Sequence, residues 1–130
     1  KLDELKIADN TIVTYTTDNG AEKMTWPDGG TSRYRGEKNS TWEGGFRVPA
    51  MIRFPGQIPA GSVVNEIAAH NDWLPTFVAA TGDTTIVEDL KKGKTLNGNK
   101  YKVHVDGYNR LPGLKTGKAN TAHNIDWPRK

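Results

Sequence analysis

Residues 11–17 read Thr-Ile-Val-Thr-Tyr-Thr-Thr, β-branched or aromatic at every position. No other feature constrains the fold as much. Such side chains lose χ1 freedom in a helix and pack well on a pleated surface, so the run predicts a strand. It stops at Asp18-Asn19-Gly20. In open α/β sheets, ligands gather beyond the carboxyl ends of the strands, which is where Asp18 and Asn19 would stand. A carboxylate and an amide carbonyl are hard oxygen donors, suited to calcium or magnesium rather than to zinc or copper. Gly20 is expected to turn the chain with positive φ. Asn-Gly after a β run is equally the signal of a tight hairpin. The residues that follow alternate poorly and are broken by Pro27-Asp28-Gly29-Gly30, so both readings stand.

A second polar group lies on Arg35-Gly36-Glu37-Lys38-Asn39-Ser40-Thr41-Trp42-Glu43-Gly44-Gly45-Phe46-Arg47-Val48-Pro49. A lone lysine in a polar loop is ordinarily solvated. Lys38, with Gly36 before it and Gly44-Gly45 after it, can also serve as a point charge for an anion. Residues 21–47 read as one long glycine-containing loop, a kind uncommon in compact domains and usually functional. The apolar run Met51-Ile52-Arg53-Phe54, closed by Pro55-Gly56, predicts a short strand over 48–54.

Taken jointly, Asp-Asn-Gly closing a strand and Arg-Gly-x-Lys-x-x-Thr-x-Glu-Gly-Gly-x-Arg-Val-Pro resemble the second half of the sulfatase catalytic domain, in the alkaline phosphatase superfamily. The likeness continues through Ala50–Gly56 and His70-Asn71-Asp72-Trp73-Leu74-Pro75-Thr76, and weakly to Asp106-Gly107. It implies an α/β fold: a fragment of an alkaline-phosphatase-like α/β sandwich with part of a smaller carboxy-terminal subdomain. By position it assigns Asp18 and Asn19 as ligands of a divalent cation, calcium ahead of magnesium, and Lys38 as the sulfate-contacting lysine. Glu43, Gly44, Gly45 and Arg47 match residues that shape the loop.

The resemblance also implies a formylglycine nucleophile made from Cys or Ser in Cys/Ser-x-Pro-x-Arg. This chain has no cysteine, and Ser32, Ser40 and Ser62 stand outside that motif. The early paired aspartates of the family are missing too. The expectation is therefore a carboxy-terminal part of a sulfatase that needs the amino-terminal part of the catalytic domain and is inactive alone. The implied substrate is a sulfate ester, a sulfated glycan among the possibilities, in a periplasmic or secreted setting. A phosphoesterase or phosphonate-ester hydrolase of the same superfamily is the alternative.

Elsewhere the chain gives local signals. Leu2, Leu5 and Ile7 lie near helical spacing, so residues 1–10 read as the end of an amphipathic helix cut without a cap. Ser62–Ala69 reads as a further strand. Asp72 is placed to cap a helix over Trp73–Ala80 that ends at Gly82, with Pro75 third in it and Leu74, Phe77 and Val78 as its buried stripe. His70 reads as structural or surface. Leu96-Asn97-Gly98-Asn99-Lys100 signals a hairpin, with Tyr101–Asp106 returning.

Charge divides the chain near residue 91. Residues 1–90 hold 8 Lys/Arg against 13 Asp/Glu, and residues 91–130 hold 10 against 2. The expected division is thus 1–90, the part of the catalytic domain bearing the site residues, and 91–130, a basic segment of the smaller subdomain. The basic end is either a solvated face or a polyanion-binding module. With only Tyr101, Tyr108 and Trp127 as aromatics there, a nucleic-acid stacking platform is not expected. Beyond Leu111 little apolar surface remains to be buried, and residues 112–130 are expected to be poorly held. No apolar run reaches the length of a membrane span.

Overall fold

A computed structural model describes residues 1–25, 30 and 32–117. The expected break at 27–29 and the basic end beyond residue 117 lie outside them. The chain divides into two compact units, residues 1–55 and the part that follows from Gly56.

In the first unit, strand β1 (Val13–Thr16) pairs antiparallel with β2 (Ala50–Arg53), Val13 opposite Arg53 and Thr16 opposite Ala50. The predicted strands at 11–17 and 48–54 thus form, shorter at both ends. A tight hairpin at Asn19-Gly20 does not, because the partner of β1 comes only after residue 49. Within the expected loop, Glu43–Phe46 closes a single helical turn, α1, with the Arg47 amide donating to the Glu43 carbonyl. The predicted helix over 1–10 is not there. The Leu5 amide makes one helical bond to the Lys1 carbonyl, then Lys6 takes φ 57 and Ala8–Asn10 forms a 3-10 turn. A left-handed residue ends an α-helix, and the segment has no cap to start one.

The second unit is built around α2 (Trp73–Ala80), which packs against α3 (Ile86–Lys92) and α4 (Leu111–Thr116). The helix bounds are as predicted, and Gly82 follows its end with φ 106. Its inward face is not. Pro75, Thr76 and Ala79 are buried, whereas Leu74 is 49% exposed. The Thr76 hydroxyl accepts the Arg110 amide at 2.9 Å and faces the Tyr108 carbonyl at 3.4 Å. These partners more than thirty residues away set the rotation of the helix, overriding the apolar spacing. Phe77 instead stacks on Trp73, centroids 5.4 Å apart.

Asp72 does not cap α2 forward. It ends a 3-10 turn, His70–Asp72, and its carboxylate accepts the amides of Ala69 at 3.0 Å and Tyr108 at 2.8 Å and the Arg110 Nε at 2.8 Å. Arg110 also pairs with Glu66 at 2.5 Å. This buried knot ties 66–72 to 108–110. Gly107 is needed beside it, since a Cβ there would lie 1.9 Å from the Asn71 carbonyl oxygen.

The hairpin at Asn97-Gly98 forms between β3 (Lys94–Leu96) and β4 (Asn99–Tyr101), its two turn residues at φ 48 and 80. The returning strand ends at Tyr101, short of the predicted Asp106, and the Val103 amide turns to the Leu90 carbonyl. Ser62–Ala69 is irregular rather than a strand, with no partner strand among the described residues. Residues 112–116, expected to be poorly held, instead belong to α4, which buries Leu111 and Gly113.

Candidate active site

Asp18, Asn19 and Lys38 all belong to the first unit, and three glycines bring their segments together. The Gly20 amide donates to the Gly45 carbonyl at 2.9 Å, and the Gly44 amide to the Arg35 carbonyl at 2.7 Å. A Cβ on Gly20 would lie 1.8 Å from the Gly44 carbonyl oxygen, and one on Gly45 would lie 2.4 Å from that of Ser40. Gly20 is not among the residues of positive φ. The glycine is required by close backbone approach, not by the turn geometry the sequence suggested. The chain leaving β1 therefore lies directly against α1 and the loop before it.

The Lys38 amide then donates to the Ala21 carbonyl at 3.0 Å. Glu37 reinforces the join: its carboxylate accepts the amides of Lys23 at 2.6 Å and Met24 at 3.3 Å. Gly36 at φ 86 and Asn39 at φ 71 bend the loop on either side of Lys38. Farther along, the Arg35 guanidinium lies 4.0 Å from the Trp42 ring centroid, and Arg47, paired with Glu43, lies 4.3 Å from that of Tyr34. These stacks brace the loop.

The result is a cavity of about 530 Å³ lined in part by Thr17, Asn19, Glu22, Lys38 and Arg47. Asn19 and Lys38 share it. Asn19 is half-buried, and its Nδ2 donates to the Gly20 carbonyl at 2.9 Å. Among the described residues no donor reaches its Oδ1. Asp18 is exposed beside the cavity, one carboxylate oxygen 3.4 Å from the Thr17 hydroxyl. The Lys38 ammonium lies 3.6 Å from the Glu22 carboxylate. Nothing in the sequence marked Glu22, whose position becomes meaningful only once the Lys38 amide meets the Ala21 carbonyl.

Among the described residues no three of His, Cys, Asp and Glu are grouped to hold a metal. The donor chemistry of Asp18 and Asn19, with an amide oxygen left open, fits a hard cation, but supplies only part of a shell of six to eight oxygens. In the second unit the basic residues Lys94 and Arg110 are committed to internal pairs with Asp83 and Asp89, and with Asp72 and Glu66.

The family profile named Sulfatase matches residues 1–83. The chain belongs to the sulfatase family. Steryl-sulfatase of Rattus norvegicus is 40% identical over 101 residues, covering 73% of this chain and 18% of its own length. N-acetylgalactosamine-6-sulfatase of Homo sapiens is 34% identical over 119 residues, covering 90% of this chain and 20% of its own. The solved structure of Ps i-CgsB in complex with k-i-k-neocarrahexaose has a TM-score of 0.67 at 28% identity, covering 91% of this chain and 23% of that one. The sulfatase chain thus spans about a fifth of the length of these relatives. Its mixed helices and strands, with this structural likeness, place it as an α/β fragment of that fold.

Proposed function

We propose that this chain is part of a sulfuric ester hydrolase and contributes the cation-binding and sulfate-binding side of its active site. Family membership supports the reaction class. The observation that carries the site is the shared cavity, where Asn19 and Lys38 are brought together by backbone bonds from separate stretches of sequence.

In this reading Asp18 and Asn19 hold a divalent cation, calcium ahead of magnesium because two flexible oxygen donors suit its adaptable shell. A bound cation would polarise a sulfate oxygen as a Lewis acid. The Lys38 ammonium holds another sulfate oxygen as a compact point charge, and is worth most where negative charge grows in the transition state. Its backbone is pinned at Ala21, so little reorganisation is needed when the ester binds. The nucleophile, formylglycine in the family pattern, belongs to sequence outside this chain, which has no cysteine and no serine in the required motif. The names of two similar proteins, N-acetylgalactosamine-6-sulfatase and Ps i-CgsB with its neocarrahexaose, favour a sulfated glycan as the ester. A periplasmic or secreted setting accords with such a substrate.

The test is calcium titration calorimetry on a complete sulfatase polypeptide containing this chain. Asp18→Ala and Asn19→Ala should each weaken calcium binding on the order of tenfold or more. Unchanged calcium affinity in both variants would remove the cation assignment.

A further inference from the structure

We propose that Glu22 is a positioning residue for Lys38: an internal carboxylate that holds the ammonium in the cavity before an anion arrives and competes with the anion for it. The inference rests on Lys38 being the sulfate contact, and adds to that reading a residue with no assigned role.

The geometry is specific. Glu22 follows Ala21, whose carbonyl accepts the Lys38 amide at 3.0 Å, so the two side chains leave adjacent points of one backbone junction. Both line the cavity that Asn19 lines. One Glu22 oxygen lies 3.6 Å from the Lys38 Nζ, beyond hydrogen-bond length but within ion-pair range. The other accepts the Thr25 hydroxyl at 2.7 Å, which fixes the carboxylate from its far side. Glu37 clamps residues 23 and 24 onto the same loop, so the base on which Glu22 stands is itself held.

A lysine side chain carries large rotamer entropy and is strongly hydrated. Left alone it samples water; beside a fixed carboxylate it stays at the cavity wall. The pair is loose, with side chains 41% and 29% exposed, so it is readily opened. A sulfate oxygen therefore has to replace Glu22 as the partner of Lys38, and after hydrolysis Glu22 is ready to reclaim the ammonium from inorganic sulfate. The carboxylate thus weakens product binding while keeping the lysine in place.

The experiment measures inhibition of aryl-sulfate turnover by inorganic sulfate in a complete sulfatase polypeptide containing this chain. Glu22→Gln keeps the size of the side chain and an oxygen for Thr25 but removes the competing charge. The inhibition constant for sulfate should fall roughly two- to fivefold, the range for a partly exposed ion pair. A gain in sulfate affinity is not what damage to the loop would give. In a Lys38→Ala background the same substitution should gain much less. An inhibition constant that is unchanged or raised in Glu22→Gln would overturn the proposal, as would an equal gain in both backgrounds, which would make Glu22 a bare negative charge acting without the lysine. Should Lys38→Ala alone leave sulfate inhibition unaltered, it is the assignment of Lys38 that fails, and the role of Glu22 with it.

Discussion

Replacing Asp72 should unfold more of the molecule than any surface change, and the structure says by how much. Asp72 is 4% exposed and accepts three N–H groups: Tyr108 on Oδ1, and Ala69 and the Arg110 Nε on Oδ2. Asp72→Ala leaves two amides without that acceptor and Arg110 with one of its two carboxylate partners. Removing one member of a buried ion pair costs about 3–5 kcal/mol, a large fraction of the roughly 5–15 kcal/mol that holds a domain folded. Asp72→Asn should rescue only partly. Both carboxylate oxygens accept, so either amide orientation points an NH₂ group at an N–H donor. Urea unfolding followed by circular dichroism is the assay, with Asp106→Asn as control because its exposed pairing with His104 should matter by less than about 0.5 kcal/mol. An Asp72→Ala variant within about 1 kcal/mol of the parent chain, at unchanged urea dependence, would refute the view that this knot organises the second unit.

Two further outcomes follow from other contacts. Gly20→Ala should lower the melting temperature and loosen the Asn19 and Lys38 segments, because its Cβ would force the Gly44 carbonyl away; overpacking of this kind costs roughly 1–3 kcal/mol. Lys94→Met should flatten the acid limb of the stability curve. Hydrogen bonding to the Lys94 ammonium, helped by Thr85, holds the carboxyls of Asp83 and Asp89 below their ordinary range, and those carboxylates in turn raise Lys94. The carboxylates' contribution is present above the unfolded value near about 3.9 and is lost as pH falls through their lowered folded values, whereas that of Lys94 persists until pH rises through its own raised value. Melting temperature against pH, measured for both proteins, checks it.

What could be read from the sequence was local. The β-branched run of β1, the span of α2 and the Asn97-Gly98 turn each follow from neighbouring residues, and each is where it was expected. The helix over residues 1–10 fails for a local reason too weak to see in composition, the left-handed Lys6. The inward face of α2 fails for a distant one: Thr76 is drawn in by Arg110 and Tyr108, so the polar residue is buried and Leu74 is not. At the candidate site, the spacing of Asp18, Asn19 and Lys38 pointed to one constellation through family likeness. Only the fold supplies the reason for the glycines, which let the backbones at 20, 44 and 45 touch. Glu22 carried no signal, since its neighbour Lys38 is brought to it by a backbone bond across the loop.

The central claim is that Lys38 binds the sulfate group, and steady-state kinetics of Lys38→Ala in a complete sulfatase polypeptide containing this chain test it most directly. With metal content verified as equal, kcat should fall on the order of 10²–10³-fold with a smaller change in KM, the pattern of a preorganised donor used in the transition state. Lys38→Arg should recover little of that loss, because a planar fork does not replace a point charge between bent segments of loop. Lys91→Ala, at an exposed lysine of α3, should leave both constants unchanged. Wild-type kcat/KM in Lys38→Ala would contradict the account and leave the loop at 36–47 a structural element.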